Sequence, residues 1–259
     1  MSIKKLFDLS GKTALITGGS RGLGLQIAQA LGEQGATLVL SARKEDELLA
    51  TVSDLKLSGI KASYIVADAA NEQDIAKLAH ASIERLGHVD ILINNAGATW
   101  GAPAEDYPLQ AWDKVMNLNI RGLFLLSQAI GKGSMIPRKY GRIVNVASIA
   151  GLSGNAPGTM KTIAYNTSKG AVINFTRALA GEWGAYGITV NALAPGFFPS
   201  KMTTGVIKEF GVEQLAAHAP LQRIGDEEDL KGAALLFASD AGKHITGQIL
   251  AVDGGVSAV

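Results

Sequence analysis

The amino-acid sequence predicts an α/β fold in which helices cover both faces of a parallel, doubly wound, seven-stranded sheet. Short apolar runs alternate with longer helical patterns along the whole chain. The runs are nearly continuous in apolar residues, as in strands buried on both faces, and the intervening helices fit parallel βαβ units. No Pro/Ser-rich linker or repeat divides the 259 residues. We therefore expect a single Rossmann domain that spans residues 1–259.

Seven strands are predicted from the apolar runs. They are Thr13–Thr17, Thr37–Leu40, Ala62–Val66, Val89–Ile93, Arg142–Ala147, Ile188–Leu193 and Gln248–Val252. Gly or Pro residues follow several of their ends, as at Gly18–Gly19 and Pro195–Gly196. Doubly wound sheets bind ligands outside the carboxyl ends of their strands, near the point where strand order reverses. A binding site is therefore expected at these ends.

Composition limits the classes of partner. The chain has 24 Lys and Arg residues against 23 Asp and Glu, and this net charge of +1 gives no reason to expect nucleic acid or an anionic membrane. The absence of cysteine excludes disulfides, thiolate catalysis and Cys-based zinc sites. No metal is expected, because no ligand spacing is found among His80, His88, His218 and His244. We expect a small-molecule partner.

The N-terminal segment Met1–Lys12 lacks the pattern of a secretory signal, since Asp8 and Gly11 interrupt its apolar stretch. No run approaches the roughly 18 apolar residues that predict a membrane span. These patterns predict a soluble, cytoplasmic protein.

A glycine-rich turn joins the first strand to the helical pattern Leu25–Glu33. The turn contains Gly18, Gly19, Ser20, Arg21, Gly22, Leu23 and Gly24. Glycine lets backbone N–H groups approach a pyrophosphate, and the helix dipole favours the negative charge. Such a turn alone has a purely structural alternative, but its position between a first strand and a helix favours dinucleotide binding.

The end of the second strand indicates which dinucleotide is bound. A carboxylate at this position would bind the 2′-hydroxyl of an NAD ribose, but the sequence continues Leu40-Ser41-Ala42-Arg43 without an acid. Arg43 and Arg21 could instead form charge-assisted bonds to a 2′-phosphate. The alternative is two solvated surface arginines. Together these residues favour NADP(H).

Three motifs, the first of them the glycine-rich turn, make the sequence resemble the short-chain dehydrogenase/reductase family over essentially its whole length. Thr17-Gly18-x-x-x-Gly22-x-Gly24 is similar to the family's cofactor loop, Asn94-Asn95-Ala96-Gly97 to its fourth-strand motif, and Tyr165-x-x-x-Lys169 to its active-site signature. Pro195-Gly196 and Asp253-Gly254-Gly255 also match. Within the family, the chain resembles rhamnolipid-type β-ketoacyl reductases and gluconate 5-dehydrogenase-like enzymes.

The spacing of Tyr165 and Lys169 places both side chains on one helix face, so the ammonium can lie near the phenol. A free phenol titrates near pH 10, and a neighbouring cation would favour phenolate and proton exchange at neutral pH. The pair alone is common on amphipathic helices. The resemblance makes Tyr165 the proton donor and acceptor, and gives Lys169 a hydrogen bond to the nicotinamide ribose.

The resemblance also assigns two polar residues to catalysis. Ser148 matches the serine that hydrogen-bonds the substrate oxygen, with Ser153 as a fallback. Asn119 matches the helix asparagine that holds a water in a proton relay from Lys169. Asn117 is two residues away and cannot share that helix face.

The resemblance implies further contacts to the cofactor. Asp68, followed by Ala69, would bind the adenine, with Asn95, Ala96 and Gly97 nearby. Near the nicotinamide we expect Pro195, Gly196, Phe198, Ser200 and Met202. In this group Phe198 would bind the carboxamide through its backbone and Ser200 through its hydroxyl, at a position where threonine is commoner.

Substrate specificity is expected in two variable segments. The loop Leu152–Ala164, which includes Pro157, is longer than is usual in the family and should be mobile until something closes over it. The segment after Pro195 would form a lid. Its apolar residues, with Trp100 and Tyr107, suggest a pocket for a greasy or extended carbonyl compound; the alternative is packing of the lid on the core.

The leading functional hypothesis is an NADPH-dependent carbonyl reductase. One alternative is an NAD(P)-linked sugar or polyol dehydrogenase that works oxidatively, and another is a nucleotide-sensing protein that has lost catalysis. Retention of all four catalytic candidates argues against the nucleotide-sensing protein. These are Asn119, Ser148, Tyr165 and Lys169. Family members are usually homotetramers and sometimes homodimers, and we expect Leu230–Ala238 and Gly247–Val259 to contribute to subunit contacts.

Overall fold

The computed structural model describes residues 2–156 and 158–259, so Met1 and the loop residue Pro157 lie outside the described residues. Within these ranges seven strands form one sheet. They are β1 Thr13–Thr17, β2 Thr37–Ala42, β3 Ala62–Val66, β4 Ile91–Asn94, β5 Gly141–Val146, β6 Ile188–Pro195 and β7 Ile249–Val252.

Helices separate consecutive strands up to β6 and precede β7. They are α1 Ile3–Leu6, α2 Gly22–Glu33, α3 Glu45–Leu57, α4 Glu72–Leu86, α5 Leu109–Met116, α6 Leu123–Ile130, α7 Ile136–Arg138, α8 Ile163–Trp183, α9 Thr204–Phe210, α10 Val212–Ala217 and α11 Lys231–Ala238. Two π-helical turns, Asn117–Gly122 and Gly131–Met135, join α5, α6 and α7 into one helical run. Across the described ranges, no helix combines the length and apolarity needed to cross a membrane.

The strand order is β3-β2-β1-β4-β5-β6-β7, and every neighbouring pair is parallel. The order reverses between β1 and β4, as in a doubly wound sheet. The predicted fold class is therefore confirmed. The carboxyl ends of β1, β4 and β5 meet at one edge, where the glycine-rich turn, the Asn94-Asn95-Ala96-Gly97 motif and Ser148 follow them.

The near-continuous apolar runs are explained by cores on both faces of the sheet. Helices α2, α3 and α11 pack on one face, and α4, α6 and α8 pack on the other. Leu230, Ala234, Phe237 and Ala238 are buried in the protein's own core, so only the remaining side chains of Leu230–Ala238 are available for the expected subunit contact, which stays a prediction.

The boundaries differ from the sequence-based expectation by one to three residues. The second strand continues beyond Leu40, because Ser41 and Ala42 pair with Ile65 and Val66 of β3. Helix α2 starts at Gly22 rather than Leu25, so the last three residues of the glycine-rich turn form its first turn. The predicted loop ends earlier, since α8 begins at Ile163.

Candidate active site

Hydrogen bonds from neighbouring strands hold the glycine-rich turn in place. The N–H of Gly18 donates to Ser41 O (2.7 Å), and Asn95 Nδ2 donates to Thr17 O (2.9 Å) and Gly18 O (3.1 Å). The Thr17 hydroxyl accepts the N–H groups of Asn95 and Ala96, both at 3.1 Å. The Asn95 side chain, expected beside the adenosine, therefore clamps the turn. Thr17, the first residue of the cofactor-loop motif, is a supporting residue whose hydroxyl had no role assigned from the sequence.

Gly24 packs against this clamp without space for a side chain. A Cβ at this position would overlap Gly18 O and come 2.5 Å from Asn95 Nδ2. We expect Gly24→Ala to lower the free energy of unfolding by about 1–3 kcal/mol, since an overpacked site must shift its backbone. Gly181→Ala, in α8 with nothing near its Cβ position, is the matched control and should be stabilising by about 0.5–1 kcal/mol. Urea denaturation measures both; equal effects would contradict the assigned packing.

The first turn of α2 is open to an anion. Arg21 is the N-cap residue and makes no side-chain cap hydrogen bond, which leaves the first N–H groups of the helix available. Ser200 faces this turn, because a Cβ on Gly22 would lie 3.8 Å from Ser200 Cβ. A side chain at Gly22 would fill the space between the two loops. The turn thus has the shape and polarity that a pyrophosphate requires.

The arginines at the turn lie in different environments. Both Glu47 carboxylate oxygens accept a hydrogen bond from Arg21 at 2.6 Å. Arg43, directly after β2, is exposed and forms no ion pair with any residue that the structure describes. The sequence did not reveal the role of Glu47, although the acidic run Glu45-Asp46-Glu47 in the first turn of α3 was a visible signal.

Ser148, Tyr165 and Lys169 lie together at the end of β5. Ser148 is buried and caps the turn Ile149–Gly151, where its hydroxyl accepts the N–H of Ala150 at 3.2 Å. Lys169 Nζ donates to Val146 O at 2.7 Å and lies 5.6 Å from the centre of the Tyr165 ring. Ser153, the fallback candidate, is exposed on the loop surface. The geometry therefore favours Ser148 as the partner of the phenol.

The pKa shifts differ from the expectation for this pair. Burial raises the pKa of the Tyr165 phenol, and a hydrogen bond with Ser148 opposes this shift in part. Burial lowers the pKa of Lys169 to about 8. The expected lowering of the phenol pKa is thus not found, because desolvation outweighs the neighbouring cation, whose ammonium is directed to Val146 O.

Asn119 lies beneath the site, in the π-helical turn between α5 and α6. Its amide donates to Ala98 O and to Ser168 Oγ, both at 2.9 Å, and its Oδ1 accepts the N–H of Ala98 at 2.8 Å. Oδ1 and Lys169 Nζ lie 3.4 and 3.6 Å from the position that a Cβ of Gly97 would occupy. Asn119 and Lys169 therefore converge on Gly97.

Both side-chain donors of Asn119 are used, so its side chain holds the backbone around Ala98 in place, and the water that Asn119 is expected to hold stays a prediction. Ser168, fully buried, receives one of these bonds and donates to Tyr165 O at 2.8 Å. Ser168 was not singled out in the sequence, although it lies inside the Tyr165-x-x-x-Lys169 motif. It connects Asn119 to the backbone of the tyrosine.

The segment after β6 contains the residues expected near a nicotinamide. Gly196 N–H donates to Val252 O at 2.9 Å and fixes the exit from Pro195. Phe198 is buried against Gly225, whereas Met202 is exposed. Thr203 Oγ1 donates to Phe198 O at 2.6 Å and lies 3.0 Å from Ser200 Oγ. Thr203 thus contacts both groups that were expected to bind a carboxamide.

Asp68 and Ala69 lie beyond β3, on the opposite side of β1 from the tyrosine. Asp68 Oδ1 accepts the N–H of Ala70 at 3.0 Å, and its own N–H donates to Asp74 Oδ2 at 3.0 Å. The Ala69 carbonyl packs against Gly122. Both residues therefore border the same edge of the sheet as the glycine-rich turn.

The long loop between Ser148 and Tyr165 is attached to α8 by side-chain amides. Asn155 and Asn166 donate to one another's oxygens at 3.4 and 3.1 Å, and Thr162 Oγ1 donates to Asn166 Oδ1 at 2.9 Å. The N–H of Ala102 donates to Lys161 O at 2.9 Å, which joins the loop to the segment after β4. These bonds oppose the free mobility expected for the loop.

The arrangement brings a proton-exchanging phenol, a buried ammonium and a serine hydroxyl beside an anion-binding helix terminus. Trp100, Leu152 and Met202, on the segments that follow β4, β5 and β6 at the same edge of the sheet, expose apolar surface. Among the residues that the structure describes, no group of three His, Asp or Glu side chains converges on a possible metal position. The chemistry available at this site is proton transfer to or from a bound oxygen.

Comparison with known proteins gives a consistent result. A family model described as enoyl-(acyl carrier protein) reductase matches residues 18–257. Gluconate 5-dehydrogenase of Gluconobacter oxydans is 41% identical, with 99% of each chain covered. The rhamnolipids biosynthesis 3-oxoacyl-[acyl-carrier-protein] reductase of Pseudomonas aeruginosa is 38% identical over 96% of this chain and 97% of that protein. A solved gluconate 5-dehydrogenase from Burkholderia cenocepacia, in complex with NADP and tartrate, has a TM-score of 0.93 and 33% identity, with both chains fully covered.

Proposed function

The chain belongs to the short-chain dehydrogenase/reductase family of oxidoreductases, and from this premise we propose that it reduces a ketone or β-keto carbonyl to a secondary alcohol, reversibly, with NADP(H). One observation carries the proposal. The Tyr165 phenol lies beside both Ser148 and Lys169, at the edge of the sheet that also carries the glycine-rich turn. This is the arrangement that a carbonyl between a hydride donor and a proton donor requires.

Each side chain has a separate task in the proposed reaction. Hydride transfer is the chemistry that NADP(H) supplies when bound. Tyr165 Oη donates a proton to the carbonyl oxygen during reduction and accepts it during oxidation. The Ser148 hydroxyl donates to the same oxygen as negative charge develops. Lys169 holds a proton next to the phenol, and Asn119 fixes the backbone around Gly97 against which Lys169 lies.

The cofactor would lie along the edge formed by the glycine-rich turn and the loops after the strands. Gly18, Ser20, Gly22, Leu23 and Gly24 provide the turn and the open first N–H groups of α2 for the pyrophosphate. Ala42 is the last residue of β2, and Arg43, which forms no ion pair among the described residues, follows it. The Burkholderia relative was solved with NADP, which supports the same cofactor form here.

Arg43→Ala tests the cofactor form. We expect the dissociation constant for NADPH to rise about tenfold and that for NADH to change little, since only the former has a 2′-phosphate for a guanidinium to bind. Titration of nicotinamide fluorescence measures both constants. Arg177→Ala, on α8, is the control with the same loss of charge. An equal loss of NADH affinity would contradict a 2′-phosphate contact.

The substrate class is tested by a screen of the purified protein with NADPH and NADH. β-Ketoacyl thioesters, keto sugars, keto sugar acids, diketones and hydrophobic ketones form the panel. Apolar surface at Trp100, Leu152 and Met202 favours a β-ketoacyl or hydrophobic ketone. The amide pair Asn155 and Asn166 supports a second candidate, a polyhydroxy substrate such as a sugar acid, whose hydroxyls would meet polar side chains. Nucleotide binding without turnover of any member would contradict the proposed reductase and favour a sensor.

We propose that the protein works as a cytoplasmic homotetramer. The family membership supports this state, as do the half-exposed edge strand β7 and the exposed Phe124, which stacks edge-on against Phe175 of α8. An apolar aromatic pair at a helix surface favours a helix–helix contact between subunits. Light scattering distinguishes a tetramer from a dimer, and a monomer would contradict the proposal.

A further inference from the structure

Glu47, in the first turn of α3 and five residues after Ala42 at the end of β2, contacts the glycine-rich turn that is expected to bind the cofactor. Its carboxylate accepts two hydrogen bonds from Arg21 at 2.6 Å and pairs with Lys44 at 3.1 Å. The Ser20 hydroxyl approaches the same carboxylate at 3.5 Å. The hydrogen bond with Lys44 holds the pKa of Glu47 below its ordinary value, so the side chain is ionised at neutral pH.

The connection between α3 and the glycine-rich turn does not depend on this ion pair. Thr51, one turn further along α3, has a buried hydroxyl that lies 2.7 Å from Ser20 O and 2.8 Å from Glu47 O, and its single proton can be donated to Ser20 O. The charge of Glu47 can therefore be removed without detaching the turn from α3. Its function can be separated from the fold.

Four charged groups decide the electrostatics at this corner. Arg21 is bound to Glu47, Lys44 shares the same carboxylate, and Arg43 has no ion-pair partner among the residues that the structure describes. A 2′-phosphate would meet the guanidinium of Arg43, which has no ion-pair partner there, and that of Arg21, whose charge is already neutralised by Glu47. A ribose 2′-hydroxyl, in contrast, would meet an acceptor of the kind that NAD-binding sites place at the end of β2.

We infer that Glu47 is a specificity-determining residue that reduces the preference for NADPH over NADH. This inference rests on the proposed function. The carboxylate of Glu47 competes with the 2′-phosphate for Arg21, and its negative charge also repels the phosphate. The same carboxylate accepts a hydrogen bond from a 2′-hydroxyl. In this role Glu47 would replace the acid that is missing after Leu40, and the site would be usable by both NADPH and NADH.

Glu47→Gln tests the inference through direct binding. NADPH and NADH are each titrated against the wild-type protein and the variant, with nicotinamide fluorescence and calorimetry as readouts. We expect the dissociation constant for NADPH to fall about two- to fivefold, the size expected for removal of one exposed charge pair, and that for NADH to stay equal or rise. Weaker NADPH binding, or an unchanged ratio of the two constants, would overturn the inference.

Glu45→Gln is the matched control, because Glu45 lies in the same helical turn and bonds Tyr64 at 3.1 Å instead of Arg21. It should change the ratio less than twofold; a shift equal to that of Glu47→Gln would assign the effect to net charge and overturn the specific role. Glu47→Asp keeps the charge and should keep the wild-type ratio. If the wild-type protein bound neither nucleotide, the proposed function itself would be rejected. If the wild-type protein binds them and Glu47→Gln leaves the ratio of the two dissociation constants unaltered, only the role of Glu47 is rejected.

Discussion

Tyr165→Phe is expected to reduce turnover by about 10²–10⁴-fold while NADPH affinity changes little, since the ring is retained and only the proton-exchanging oxygen is lost. The partly buried ring would still pack beside Lys169, so the free energy of unfolding should be close to that of the wild-type protein. Steady-state kinetics with the best substrate of the screen measures turnover. Fluorescence titration measures cofactor affinity.

Tyr107→Phe is the matched control for this substitution. Tyr107 donates to Trp100 O at 3.2 Å near the mouth of the site, and burial also raises the pKa of its phenol. Its hydroxyl proton is donated to Trp100 O, and no hydrogen bond with Ser148 or Lys169 is found among the described residues. Its loss should alter turnover by no more than about threefold, the cost of one exposed hydrogen bond. If Tyr165→Phe retained full turnover, Tyr165 would not be the residue that exchanges a proton with the substrate.

Lys169→Met is expected to inactivate the enzyme and to stabilise the fold. Burial lowers the pKa of Lys169 to about 8, so keeping this group charged at neutral pH costs folding free energy. Methionine retains most of the buried apolar stem but loses the bond to Val146 O. The balance predicts a gain of about 1–2 kcal/mol in the free energy of unfolding at pH 7, measured by urea denaturation. A loss of stability would show that the ammonium is favourably held.

The pH dependence of stability provides a second test of the same residue. The unfolded chain has the ordinary lysine pKa of 10.5 and the folded chain a value of about 8, so the unfolded state binds more protons between these limits. The wild-type protein should therefore gain stability as the pH rises from about 8 towards 10, and Lys169→Met should lack this gain. Measurements stop at pH 10 because the raised pKa of Tyr165 acts in the opposite direction above it. Lys161→Met, at an exposed position, should retain the wild-type slope.

The fold could be predicted from the sequence because burial on both faces makes each strand a continuous apolar run. The same rule fails at the end of β2. Ser41 interrupts the apolar run, and Ser41 and Ala42 join the strand because β1 and β3 offer partners for their backbone. Likewise, the first turn of α2 could not be recognised in Gly22-Leu23-Gly24, since two glycines disfavour a helix that the surrounding contacts nevertheless impose.

The candidate site was predicted as far as its residues form local motifs. Tyr165, Lys169, Ser148 and Asn119 do come together, but the direction of the tyrosine pKa shift depends on desolvation, which no spacing reveals. Contacts between segments that are distant in the sequence could not be predicted either. Glu47 in a helical first turn is ordinarily explained by the helix dipole, and only the folded chain brings it to Arg21.

The amide pair between Asn155 and Asn166 ties the variable loop to the residue that directly follows Tyr165. Loop exchange among relatives, the obvious route to a new substrate range, therefore also exchanges the support of the acid–base group. A transplanted loop that lacks a partner for Asn166 would free the first turn of α8 and displace the phenol. In this protein, a change of substrate range through the loop therefore also affects the reaction rate. A loop exchange that keeps the rate must include both the loop and the first turn of α8.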